Sequence, residues 1–400
     1  MKKTSRLLLS SCLLAALSAG CASTTQQPVP AEQQTTSTES FEERHGLVNR
    51  TEVFAIVESH DAAISLERKA ARWGYGLKKK EDLSTVGYQM LTFDCPPGID
   101  PHVAAVELEA MESFVTVEVN HKYTLQSTES QPLFSKSRSY ADALVGWPKQ
   151  GCEGRVPIGI IDGAIAMDSD RLRDATIINR SFLSARQTPA DSKHGTAIAE
   201  ILVGQGRLNN TMLYSASVMA EDEDGIQYAG IGPLLKAIDW QVKSGAKIIN
   251  ISLAGPPNKT LERVINRATQ QGTIIVAAVG NAGPDSKPLY PAAFDNVIAA
   301  TAVDQDATVY EDAVHGAHVD YAAPGVDVYV GNDENGRYVS GTSIATPFIV
   351  ARLASDDLVT KSSTLNAMKI ALSISAKDLG EKGRDHVYGA GLISLKQSCG

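Results

Sequence analysis

After residue 20 the sequence holds no apolar run long enough to cross a bilayer. It also lacks a basic excess. The formal charge is −9, which argues against a nucleic-acid-binding face and therefore against a nucleic-acid partner. No internal repeat is evident. No HExxH, GxSxG or phosphate-loop pattern occurs, which removes zincins, α/β-hydrolases of the usual type and P-loop NTPases. No Asp-rich loop of the EF-hand type appears, so no calcium is expected; no other metal and no cofactor is expected either. His315 and His318, with Asp320, are read as solvent-facing rather than as a metal site, because no closed ligand set can be assembled around them. Cysteine is scarce, with five in 400 residues. Cys12 lies in the N-terminal segment, Cys21 just after it, and Cys95, Cys152 and Cys399 remain for the folded part.

What is present begins with a targeting segment. Lys2, Lys3 and Arg6 precede the apolar run Leu7 to Leu17, and Ser18-Ala19-Gly20-Cys21 is similar to a bacterial lipoprotein processing site. Residues 1–20 are thus expected to be a signal peptide, with Cys21 carrying a lipid. The other reading is a plain secretory signal cut near Ala19 or Ala22. Residues 21–46, rich in Thr, Gln, Ser, Glu and Pro, make a tether. Export brings the chain into an oxidising compartment, so one disulfide is possible. Cys152 and Cys399 flank one domain and are the preferred pair.

Residues 47–126 are expected to form a small unit of order β-α-β-α-β. Val53 to Val57 is a β-type run, and Asp61 to Trp73 an amphipathic helix stopped by Gly74. Val86 to Phe93 is β-rich, and Asp100-Pro101 opens a helix to about Met111. Val115, Val117 and Val119 alternate with polar residues as in a half-buried strand. Residues 127–150 are read as a polar connector. Residues 151–400 alternate apolar strands (Val156 to Ile161, Met212 to Met219, Lys247 to Leu253, Thr273 to Val279, Val297 to Val303) with helical patterns. The expected fold class is α/β: a doubly wound parallel sheet beside a small α+β domain.

In such a sheet, functional groups gather at the carboxyl ends of the strands. Asp162 and Asn281 end apolar strands, and His194 and Ser343 start helices, so four segments converge on one edge. Ser343 follows a glycine turn and precedes a helix with Ala345, Phe348, Ile349 and Leu353 on one face. Serine alone there could be no more than a helix cap. With the others it acquires a chemistry. A serine hydroxyl needs a base, a neutral imidazole can serve, and a buried carboxylate fixes the imidazole tautomer. The Asn281 amide and the Ser343 backbone N–H can hold an oxyanion.

The segments Ile160-Ile161-Asp162-Gly163, His194-Gly195-Thr196, Gly280-Asn281-Ala282-Gly283 and Gly341-Thr342-Ser343 resemble those of the subtilisin-like serine peptidases, in that family's order. Val387-Tyr388-Gly389-Ala390-Gly391 resembles its closing segment. The resemblance covers about residues 150 to 395. It implies a serine endopeptidase acting on polypeptides through Asp162, His194 and Ser343, with Asn281 in the oxyanion hole. It implies that Ser252, Leu253, Ala254 and Gly255 bind substrate as a strand, and that Ala278, Val279 and Gly280 wall the pocket for the residue before the cut bond. It also implies that residues 47–126 are a propeptide acting as an intramolecular inhibitor, cleaved somewhere in 120–150. Localisation would be periplasmic or cell-surface, with a membrane contact only through the lipid. The sequence departs from the family at Gly163-Ala164, Ile344 and Phe348. The alternative is a silent member of the fold that binds or scaffolds without turnover.

Overall fold

The computed structural model describes residues 48–130, 138–332, 336–357, 364–396 and 398–399. The expected signal segment, Cys21 and the expected tether lie outside the described residues.

Seven parallel strands form the central sheet: β5 (Ile158–Asp162), β6 (Thr176–Ser181), β7 (Met212–Ser217), β8 (Ile248–Ile251), β9 (Ile274–Ala278), β10 (Ile298–Val303) and β11 (Tyr321–Pro324). Their order is β11-β10-β9-β8-β5-β7-β6, so the chain enters at the centre and winds outward both ways. Alternation along the strands feeds two cores. Ile158, Ile160, Val276 and Ile298 face α3 (Lys193–Val203) and α6 (Thr342–Ala354). Ile161, Ile249, Ile251 and Ile275 face α4 (Ile231–Lys243) and α5 (Lys259–Gln270). Both sheet faces are covered, which is why these strands read as continuous apolar runs. β6 escapes that pattern: it is an edge strand of sequence TIINRS, mostly exposed.

The N-terminal unit departs from expectation by one strand. Its order is β1 (Val48–Val57), α1 (His60–Arg72), β2 (Gly76–Leu83), β3 (Tyr88–Asp94), α2 (Pro101–Met111), β4 (Val115–Leu125). The sheet is antiparallel with order β2-β3-β1-β4, a split β-α-β arrangement. β2 carries Lys78-Lys79-Lys80-Glu81-Asp82 on a sheet edge. Charge there blunts edge-to-edge pairing, and it also hides the strand from hydropathy.

The two faces of this sheet have different partners. Val53, Ala55, Val57, Leu91 and Phe93 pack under α1 and α2. Phe54, Ile56, Tyr88 and Met90 point the other way, into the core that holds α4 and α5. Polar contacts fix the same seam. Asp239 on α4 accepts from the backbone N–H groups of Thr85 and Val86, at 2.8 and 2.9 Å. The first helical N–H of α4, at Ile231, has no local cap and donates to Asn120 of the N-terminal unit.

The stretch Tyr140–Val145, read as connector, is a short helix instead. Tyr140, Val145 and Trp147 enter the core beside α6, where Trp147 meets Phe348 edge to face at 6.0 Å. Cys152 and Cys399 are bonded, closing the chain over a separation of 247 residues. Cys95 is free, and burial, aided by the negative charge of Asp100, pushes its thiol up to about 11. Breaking the bond in a Cys152→Ser/Cys399→Ser chain should cost about 2–5 kcal/mol, because the unfolded chain regains loop entropy. Thermal unfolding in a Ser343→Ala background, free of self-digestion, measures it. An unchanged midpoint would show the bond to be mechanically idle.

Candidate active site

Asp162 is the last residue of β5, His194 the second of α3, and Ser343 the second of α6. The sheet topology brings all three to one edge, beside the point where the winding direction reverses. His194 Nδ1 lies 2.7 Å from Asp162 Oδ1, and His194 Nε2 lies 3.0 Å from Ser343 Oγ. An ionised carboxylate only accepts, so it holds the imidazole proton on Nδ1 and leaves Nε2 as a base facing the hydroxyl. Asp162 is fully buried and also accepts from the Gly163 N–H. Gly163 and Ala164 offer no hydroxyl, and Asp162 Oδ2 has no hydrogen-bond partner.

α6 is buried on every side rather than on one face. Pro347 sits inside it and cannot donate to the Ser343 carbonyl. That carbonyl is taken instead by Thr346 Oγ1 at 2.7 Å and Ser252 Oγ at 3.3 Å. Ser252 is thus placed behind the nucleophile helix, buried, with Asn250 Nδ2 donating to it at 2.8 Å.

Asn281 follows β9 by three residues. Its Oδ1 accepts from the Thr342 N–H at 3.0 Å and the Thr342 hydroxyl at 2.8 Å. A backbone N–H can only donate, so the amide is oriented with Nδ2 free to point at a third atom. That atom is indicated by Gly341, with φ of 148°. A methyl there would lie 2.1 Å from the Gln126 carbonyl oxygen and 2.9 Å from Asn281 Nδ2, so both border one point. Glycine is required by the backbone and by that approach.

The chain itself fills the cleft. β4 runs its last residues between two strands: Tyr123 and Lys122 pair with Ala229 and Gly230, and Leu125 and Thr124 pair with Leu253 and Ala254, both antiparallel. The Gln126 carbonyl then accepts from the Ser343 N–H at 3.1 Å and lies 2.8 Å from Ser343 Oγ. The hydroxyl carries one proton, so it serves either this carbonyl or His194 at one time. Beyond Ser127, Thr128–Ser130 pairs antiparallel with Arg337–Ser340.

Leu253 and Ala254 therefore meet an extended segment through their backbones. Gly255 does not pair with it; its backbone bridges Tyr290, and its open Cα face receives the Tyr123 ring. Ala278, Val279 and Gly280 are buried behind Asn281, whose N–H donates to Gln126 Oε1 at 2.8 Å. Gln126 and the strand Gln227–Gly230 are not legible as site residues, since short polar stretches carry no periodic signal. His315 and His318 are half-buried rather than solvent-facing, and Asp320 is held by Lys369 at 2.8 Å and Arg384 at 3.0 Å. Among the described residues no group of three or more His, Cys, Asp or Glu side chains is placed to hold a metal ion.

The profile of the Peptidase S8 Subtilase family matches residues 117–391. The chain belongs to the subtilase family. It is a serine-type endopeptidase. Subtilisin DY of Bacillus licheniformis is 33% identical over 264 residues, which is 62% of this chain and 92% of that protein. The minor extracellular protease Epr of Bacillus subtilis (strain 168) is 27% identical over 311 residues, 72% of this chain and 47% of the other. Among solved structures, fervidolysin from Fervidobacterium pennivorans, a keratinolytic enzyme related to subtilisin, superposes with a TM-score of 0.70 at 18% identity, over 88% of this chain and 61% of its own. The epidermin leader peptide processing serine protease of Staphylococcus aureus gives 0.63 at 17%, over 88% of this chain and 98% of its own. These two likenesses establish the fold.

Proposed function

We propose that this chain is an exported zymogen that cuts itself between Gln126 and Ser127. The observation that carries the reading is the Gln126 carbonyl, held against Ser343 while the chain pairs as a strand on both sides of that bond. Ser343 Oγ attacks the Gln126 carbonyl carbon as His194 takes its proton. The oxyanion forms between the Ser343 N–H and Asn281 Nδ2. His194 then passes the proton to the Ser127 nitrogen, the bond breaks, and an acyl-enzyme remains on Ser343. Water, deprotonated by the same imidazole, releases the Gln126 carboxylate. Asp162 stabilises the imidazolium throughout.

Residues 47–126 then stay as an inhibitor, because the apolar seam around Phe54, Ile56 and Met90 does not depend on the bond being intact. Once freed, the cleft takes other polypeptides as an antiparallel strand between Leu253–Ala254 and Gln227–Gly230. The signal-like residues 1–20 and a relative named as extracellular support export, and Cys21 is the proposed lipid site.

Covalent labelling by a fluorophosphonate tests the triad. The processed protein, freed of its N-terminal unit, should label at Ser343, and Ser343→Ala should not. Asn281→Ala should still fold yet hydrolyse peptides about 10²- to 10³-fold more slowly, the size known for the corresponding donor in subtilisin. A folded, freed protein that takes no label would leave the silent scaffold as the reading.

A further inference from the structure

The proposed function leaves the charged contact at Glu129 unused. Glu129 is the third residue beyond the Gln126–Ser127 bond. Its carboxylate lies 3.1 Å from Lys193 Nζ and 3.5 Å from Arg337 Nε. The Arg337 guanidinium is anchored by the site rather than by Glu129, whereas Lys193 is fixed at its backbone and its ammonium reaches Glu129 from an exposed side chain. Lys193 directly precedes His194 at the start of α3, and its N–H donates to Asp191 Oδ1 at 3.0 Å. Arg337 opens the strand that receives residues 128–130, and its terminal nitrogen donates to the Lys193 carbonyl at 2.8 Å. That bond orients the guanidinium and turns Nε toward the substrate strand. Nε is buried and has no hydrogen-bond partner of its own. The Glu129 carboxylate lies 3.5 Å from it, an ion pair without a hydrogen bond.

Register makes this a property of any substrate. Val339 is the Cα partner of Glu129, with Ser340 opposite Thr128 and Tyr338 opposite Ser130. Side chains alternate along a strand, so a peptide docked in this register puts its third residue after the bond where Glu129 sits. Among the described residues, no other acid forms an ion pair with Lys193 or Arg337. Asp191 serves the Lys193 N–H, Asp170 is paired with Arg173, and Glu200 is engaged by Ser169 and the Gly331 N–H.

We propose that Lys193 and Arg337 form a carboxylate subsite, so that this peptidase prefers Asp or Glu at the third residue after the cut, in foreign polypeptides as in its own chain. The inference rests on the reading that the chain is cut between Gln126 and Ser127. Exposed ion pairs are weak, but two cations, one of them with a buried and pre-oriented Nε, make a preference of about fivefold reasonable.

The test uses the processed enzyme and quenched peptides carrying the sequence from Tyr123 to Ser130, with Glu, Gln or Lys in the Glu129 place. Wild type should cleave the Glu peptide about fivefold faster in kcat/KM than the Gln peptide, with the Lys peptide slower still. The ratio should shrink in about 0.5 M sodium chloride, where screening acts over a few ångströms. Arg337→Gln and Lys193→Gln should each reduce the ratio, and the double variant should bring it near one. Cut-site mapping in a mixed peptide library should show acids enriched at that third place whatever precedes the bond. A ratio of one in an enzyme that labels with fluorophosphonate and cuts Gln–Ser overturns the subsite alone. A ratio that survives in the double variant overturns it too. Failure to label, or cuts elsewhere without acid enrichment, removes the reading beneath it as well.

Discussion

Ser343→Ala is expected to leave the chain uncut between Gln126 and Ser127, while the wild type separates there within the time of its own folding. The difference is large because no other described residue is placed to do the first step. Among the described residues the only hydroxyl placed against both a base and the Gln126 carbonyl is Ser343, at 3.0 Å from His194 Nε2 and 2.8 Å from the carbonyl oxygen. Without it the remaining oxyanion donors can only assist attack by water. In subtilisin, loss of the corresponding serine costs about 10⁶-fold in kcat. The alanine chain should fold unharmed. Ser343 is fully buried, and its backbone N–H, which donates to Gln126, is kept. Mass measurement of the two purified chains reads the result, and sequencing the new N-terminus places it. Wild type should begin at Ser127. A start at any other residue would show that the bond over Ser343 is not the one cut. Equal full-length species for both would remove self-processing altogether.

How much of this could be read beforehand varied with the kind of residue. Five strands of the central sheet announced themselves because both faces are buried, so Ile274–Ala278 carries no polar residue and Ile248–Ile251 only the buried Asn250. The ends of those strands and the starts of α3 and α6 followed, and with them the positions of Asp162, His194, Asn281 and Ser343. β2 and β6 were hidden because each lies at a sheet edge, where charge and exposure replace the apolar pattern, and β11, though buried, was hidden because its four residues are too few for a signal. The helix Tyr140–Val145 was hidden by its length, since six residues are too few for a periodic signal. Lys193, Glu129 and Arg337 were invisible for a deeper reason. Each looks like an ordinary surface charge, and only the strand register that brings residues 129, 193 and 337 together gives them a shared task. Side chains that act through a fold's long-range pairing leave no local trace.

The second large effect concerns pH and the seam between the N-terminal unit and the peptidase domain. His121 is buried on β4, and Asn258 Nδ2 donates to its Nδ1 at 2.9 Å. Asn258 has no freedom to reverse that bond, because its Oδ1 accepts from the Leu261 N–H and the Thr260 hydroxyl in capping α5. A protonated His121 would set one donor against another. Burial, and after it the charge of His102, depresses the imidazole to about 4 from an ordinary 6.5. The sign follows. A group that is neutral when docked favours docking above 6.5, and that contribution is lost as pH falls from 6.5 to about 4. The full difference corresponds to about 3 kcal/mol, or roughly 100-fold in the docking equilibrium. Other charges face the same cavity: His102, Glu118, Lys259, Glu262 and Asp295, with Glu109 close to Lys259. Glu118 acts in the opposite sense, since burial lifts its carboxyl above the usual range and proton uptake there favours docking, while Lys259 limits the rise. His121 dominates because its displacement is the larger and because protonation breaks a fixed bond. Amide exchange of β1 and β4 in the uncut Ser343→Ala chain, corrected for intrinsic rates, should therefore show protection falling about 100-fold between pH 6.5 and 4. His121→Gln keeps an acceptor for Asn258 and removes the titration, so its protection should be nearly level over the same range. A level wild type, or a glutamine variant with the wild-type slope, would exclude His121 as the group that loosens the N-terminal unit in acid.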